Sequence, residues 1–106
     1  MKFQYTRTVS TCINDIANHL IRAGIAPQPV LSQLLTRFEE NISTFPKGCQ
    51  VCPELLKLGC VRYREFNSDD GYRVLYSVDK DGVTVHAILA HRQDIKQLLF
   101  KRLIQA

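Results

Sequence analysis

The chain changes its hydrophobic period halfway along. From Ser10 to Phe45 apolar residues recur every three or four positions; from Cys60 to His91 they alternate with polar ones. The first spacing marks helices with one buried face, the second marks strands. Ile13, Ile16, Ala17, Leu20 and Ile21 form one helical stripe. Ser10 or Thr11 offers its N-cap, Asn14 and Asp15 fill its first turn, and Gly24 suits the C′ position. "IAPQP" then interrupts, and a second helix starts near Pro27 or Pro29, since proline fits a first turn. Its stripe is Leu31, Leu34, Leu35, Phe38, Ile42 and Phe45, with Arg37, Glu39 and Glu40 directed away and Pro46 as the stop.

Ahead of the helices, "KFQYT" (2–6) alternates as a short strand does. Behind them, "CVRYREF" (60–66), "YRVLYSVD" (72–79) and "VTVHAILAH" (83–91) are β-rich runs. They are separated by "NSDDG" and "KDG", and Asp-Gly is favoured in hairpin loops. Three strands joined this way predict an antiparallel meander, and "RQDIKQLLFKRLI" (92–104) closes the chain as a helix. The order is βααβββα. It predicts an α+β domain over 1–106, with a helical hairpin packed on one face of a small antiparallel sheet.

With 106 residues, 45% apolar and 23% charged, one domain with a modest core is expected and disorder is excluded. No run approaches the roughly 18 unbroken apolar residues of a membrane span. "MKFQYTRTVS" has no apolar h-region, so the cytoplasm is the default location, where thiols stay reduced. The net charge of +4 is compatible with a nucleic-acid partner but too mild to establish one. Its placement says more: Arg62, Arg64, Arg73, Arg92, Lys96, Lys101 and Arg102 crowd the second half.

"GCQVCPELLKLGC" (48–60) carries Cys49 and Cys52 as C-x-x-C, with Cys60 eight residues on. A closed zinc site needs four ligands, usually as two pairs. Here the fourth would be Cys12, His19, His86 or His91, none of which forms a second pair. A redox dithiol belongs at a strand-to-helix junction, whereas this pair follows a helix-ending proline. An unliganded loop is the reading, with no metal and no cofactor.

The stretch "YREFNSDDGYRVLYSVDKDGVTVHAILAHRQD" (63–94) resembles the RelE/ParE superfamily of bacterial type II toxins. The pattern is an arginine-bearing strand of the form Y-R-x-x-Y, a turn, a β-branched strand and a closing His-Arg-x-Asp. Tyr72, Arg73, Tyr76, His91, Arg92 and Asp94 match it. The resemblance implies a toxin held inactive by a cognate antitoxin, with no metal or redox cysteine in the loop. RelE-like members cleave mRNA on the ribosome without metal, and this is the first expectation. ParE-like members, the alternative, trap DNA gyrase by protein contacts without catalysis.

Ribonuclease chemistry of that kind needs a base for the 2′-hydroxyl, cations for the developing phosphoryl charge and an acid for the leaving oxygen. Strand parity sets Arg73 opposite Tyr72, Val74, Tyr76 and Val78, so it points to an open face if those pack inward, and its fork suits phosphate. His91 ends the last strand and titrates near pH 6.5 when unperturbed. Arg73, His91 and Arg64 are therefore the catalytic candidates, with Arg62 and Arg92 to bind substrate. Glu65 is a second possible base. His86, Tyr63 and Tyr72 read as structural.

The final helix holds Ile95, Leu98, Leu99, Phe100, Leu103 and Ile104 within thirteen residues. One core-facing stripe accounts for Ile95, Leu98, Leu99 and Leu103. Phe100 and Ile104 form a second ridge, the expected seat of an amphipathic antitoxin segment.

Overall fold

The computed structural model describes residues 2–90. The elements run β1 (Phe3–Tyr5), α1 (Arg7–Arg22), α2 (Pro27–Thr44), α3 (Pro53–Lys57), β2 (Arg64–Asn67), β3 (Tyr72–Asp79) and β4 (Gly82–Ala90). The expected helix over 92–104 lies outside the described residues. So do His91, Arg92, Phe100 and Ile104. No helix among the described residues is long and apolar enough to cross a membrane.

The architecture is α+β, but the sheet is mixed rather than antiparallel. Its order is β1-β4-β3-β2. The meander β2-β3-β4 is antiparallel as expected, while β1 lies parallel to β4, with Phe3 opposite Val83 and Tyr5 opposite Val85. The reason is connectivity. β1 leads directly into the helices, and parallel strands need such a long crossover between them. Alternation within "KFQYT" carried no information on direction.

Helix α1 starts at Arg7, three or four residues before the expected capping residues Ser10 and Thr11. Thr6 stands at its N-cap in extended backbone and makes no side-chain cap bond. Instead its backbone N–H donates to Val85 O (3.1 Å) and its hydroxyl to His86 O (3.2 Å). Tertiary bonds to the sheet, not a local cap, fix that helix end. The buried positions are Val9, Cys12, Ile16 and Leu20, one residue round from the expected stripe, so Ile21 is exposed. Cys12 acts there as a small hydrophobe. The other end follows expectation. Gly24 adopts φ +78°, its N–H donates to Ile21 O (3.0 Å), and Ile25 N–H donates to Leu20 O (2.9 Å). These two bonds are a Schellman motif.

Helix α2 begins on Pro27 and buries Leu34, Phe38 and Ile42; Phe45, at its C-cap, is exposed. The Phe38 ring meets Phe3, Phe66 and Tyr76 edge-on at 5.9, 5.7 and 5.5 Å. One side chain thus ties the helix to three strands. Phe66, Val74 and Ile88 are direct cross-strand neighbours and share the face that the helices cover.

The opposite face carries Glu65, Arg73, Leu75, Ala87 and Leu89 by the same register. It is not open. Leu75, Ala87 and Leu89 are buried, as are Cys52 and Leu55 of the segment following α2. The register also slips between Leu75 and Tyr76, where partners jump from Ala87 to Val85 and His86 becomes the extra residue of a bulge.

Candidate functional site

The segment 48–60, expected as an unliganded loop, carries the short helix α3 and builds the site. Leaving α2, the chain turns at Gly48 and runs antiparallel to β2. Glu65 N–H donates to Gln50 O (3.0 Å), Cys52 N–H donates to Tyr63 O (2.8 Å), and Val51 bridges Arg64. The outer edge of the sheet is covered as a result. Pro53 then opens α3 at its first position, where its lack of an N–H costs nothing. Gly59 at φ +84° closes the helix with a second Schellman motif, Gly59 N–H to Leu56 O and Cys60 N–H to Leu55 O, both 2.9 Å. Buried Leu55 anchors the turn and sets Glu54 above β3.

Arg73 meets it there. Its Nη1 and Nη2 donate to Glu54 Oε2 (2.7 Å) and Oε1 (2.9 Å) in a bidentate fork. Its Nε donates to Glu65 Oε2 (2.8 Å), and Nη2 also donates to that oxygen. The other Glu65 oxygen accepts from Gln50 Nε2 at 2.6 Å. The side chains of Arg73 and Glu65 are only 13% and 4% exposed. Such a pair, out of water, needs every donor and acceptor matched. The fork on Glu54 matches the planar guanidinium to a carboxylate.

The charges act on one another. Hydrogen bonding from Arg73 is the main cause holding the Glu54 carboxyl below its ordinary range. Glu54 in turn, with Glu65, holds the Arg73 guanidinium more firmly protonated than usual, against the opposing effect of burial. Burial pushes the Cys52 thiol up, so it is a poor thiolate.

Cys52, Glu54 and Glu65 are also where a metal would be sought, because their ligand atoms lie within 4.8 Å of one another. The Arg73 guanidinium already sits among them, with Nη2 3.8 Å from Cys52 Sγ. A metal ion would have to displace that cation. Cys49, half-buried, has a free thiol like Cys52, so C-x-x-C forms no disulfide.

The remaining arginines do different work. Arg64 Nη1 donates to the carbonyls of Cys49 (2.6 Å) and Lys47 (3.3 Å), and Tyr76 Oη donates to Pro46 O (3.1 Å). Together these hold the start of the covering segment. Arg62 precedes β2, is exposed, and lies with its guanidinium carbon 5.8 Å from the Tyr63 ring centre. Tyr63 stands edge-on to His86 at 4.9 Å, and His86 Nε2 pairs with buried Ser77 Oγ at 2.7 Å. Burial, and secondarily Arg62, hold the His86 imidazole below its ordinary value.

The structure therefore brings Arg73 and Glu65 together but sets Arg64 and Arg62 apart from them. Glu54 was missed. Its signal was Cys-Pro-Glu, a proline at a first helical position followed by an acid in the first turn.

Comparison with known proteins gives one result over most of the chain. Residues 3–95 match the family model described as the ParE toxin of the type II toxin–antitoxin system, parDE. No curated protein matches.

Proposed function

This chain belongs to the ParE toxin family of type II toxin–antitoxin systems, which implies an antitoxin partner, and we propose that it arrests growth by binding DNA gyrase rather than by cutting mRNA. The observation that carries this reading is the engagement of Arg73. An arginine that stabilises a phosphoryl transition state must aim free donors at the developing charge. Here Nε, Nη1 and Nη2 all donate to Glu54 and Glu65. Releasing them for a phosphate would strand the buried Glu65 carboxylate without a countercharge, a cost of several kcal/mol. Arg64 spends one nitrogen, Nη1, on the backbone carbonyls of Cys49 and Lys47. A protein-binding poison needs neither group free, only a well-held surface. The antitoxin contact is proposed on the ridge of Phe100 and Ile104, from helical spacing alone.

The test is expression of the toxin in cells, followed by two parallel measurements. Binding of gyrase predicts a DNA-damage response and filamentation with translated mRNA intact, and inhibition of supercoiling by the purified chain. Ribosome-dependent mRNA cleavage with gyrase unaffected would return the catalytic role to Arg73, Arg64 and His91, with substrate held by Arg62 and Arg92.

A further inference from the structure

Three apolar side chains stand out from the surface within six residues. Leu56, Leu58 and Val61 are 50%, 67% and 65% exposed. They are carried on α3 and the turn behind it, and this is not a loose loop. The Glu54–Arg73 fork, buried Cys52 and Leu55, the bond from Cys52 N–H to Tyr63 O and the Schellman motif at Gly59 hold it from both sides. Its shape is set before any partner arrives, which lowers the ordering cost of binding.

The exposed charge along this stretch of chain has one sign. Between residues 46 and 66 the exposed charged side chains are Lys47, Lys57 and Arg62, all basic. The carboxylates of the same stretch, Glu54 and Glu65, are turned inward onto Arg73. Arg62 is further steadied over the Tyr63 ring. An apolar tip flanked in sequence by exposed cations, with the carboxylates of the same stretch paired to Arg73, complements a recess that is apolar at its floor and acidic at its rim.

We infer that Leu56, Leu58 and Val61, framed by Lys57 and Arg62, form the surface by which the toxin docks into an acidic, apolar-floored recess of its target protein. A rigid projection suits insertion into a folded partner; a segment that folds on binding instead lies in a groove. The inference rests on the protein-binding reading above and adds the contact surface to it.

The experiment uses the full chain and purified gyrase as the probe. Leu58→Asp with Val61→Asp is expected to lower affinity about 100-fold, as loss of central anchors does. Lys57→Glu with Arg62→Glu is expected to lower it about tenfold and to flatten its dependence on salt. Both variants should keep the parent's melting temperature and antitoxin affinity while losing growth arrest. Leu56→Ser supplies a milder variant should the aspartates disturb folding, and a drop of about tenfold is expected. Parent-like gyrase binding by the apolar variants overturns the inference and leaves the gyrase reading standing. A loss of antitoxin binding alone assigns the surface to the antitoxin and equally overturns it. Sensitivity to charge reversal without sensitivity to the aspartates marks a nucleic-acid contact, again against the inference. A parent chain that does not bind gyrase overturns the functional reading and the inference together.

Discussion

Arg73 and Glu54, nineteen residues apart in the chain, close on each other through two parallel hydrogen bonds of 2.7 and 2.9 Å. This pair fastens a short helix with no long apolar stripe of its own to the centre of the sheet. Glu65 completes the arrangement from the neighbouring strand.

The three groups should not contribute equally to stability. Arg73→Met strands the nearly fully buried Glu65, and a loss of about 3–5 kcal/mol is expected. Glu54→Gln, at a side chain 30% exposed, should cost about 1 kcal/mol. Adding Glu65→Met to Arg73→Met should recover part of the first loss, because the unpaired charge is gone. Urea denaturation of the parent, Arg73→Met, Glu65→Met and the double variant measures the coupling. Simply additive losses would show that the ion pair is energetically idle.

His86 should make stability depend on pH in one direction. The folded state disfavours its protonation through burial and Arg62, so on acidification the unfolded chain takes the proton first. Its contribution is complete above the ordinary imidazole value of about 6.5. It declines as pH falls through that value and levels off below the lower folded-state value. The His86→Asn variant should show a flatter stability profile between about pH 7.5 and 5 than the parent. In NMR, the His86 ring should titrate below the ordinary value and move upward in Arg62→Gln. A midpoint above the ordinary value would contradict this.

Two glycines separate backbone strain from collision. Gly24 has φ +78° and open space where a Cβ would stand, so Gly24→Ala should cost about 1 kcal/mol, the left-handed penalty alone. Gly82 has φ +138°, and its Cβ would lie 2.3 Å from the Lys2 carbonyl oxygen. Gly82→Ala should therefore cost clearly more, about 3 kcal/mol or above, and loosen β1. Amide exchange at Val83, whose N–H donates to Lys2 O at 2.8 Å, reports the loosening. Equal losses at the two glycines would mean that β1 yields without resistance.

What was legible in the chain followed from local rules. Alternation with Asp-Gly turns located β3 and β4 to within a residue, and Gly24 marked the end of α1. Parity correctly set Arg73 opposite Val74 and Tyr76. The error lay in taking that face as open, because the covering segment 49–60 has neither period and is placed by bonds to residues far away in sequence. Arg73 itself, read as a free phosphate clamp, is one of the groups that places it. The direction of β1 and the early start of α1 were hidden for the same reason. Both depend on Val83 and Val85, about eighty residues downstream.

The seat of β1 also orders assembly in time. The two hairpins of the meander close across Ser68–Gly71 and Lys80–Asp81, so each can zip as soon as its second strand exists. β1 is the first of the described strands to be made and waits longest for its partner, since Phe3 has none until Val83 has been made and Thr6 none until Val85. Over that wait the start of the helical layer has no sheet to lean on. A ribosome that stalls before Val85 leaves a chain with its meander partly zipped and its first strand unseated. The first strand of this toxin's sheet is seated only once β4, the last of the described strands, has begun to form.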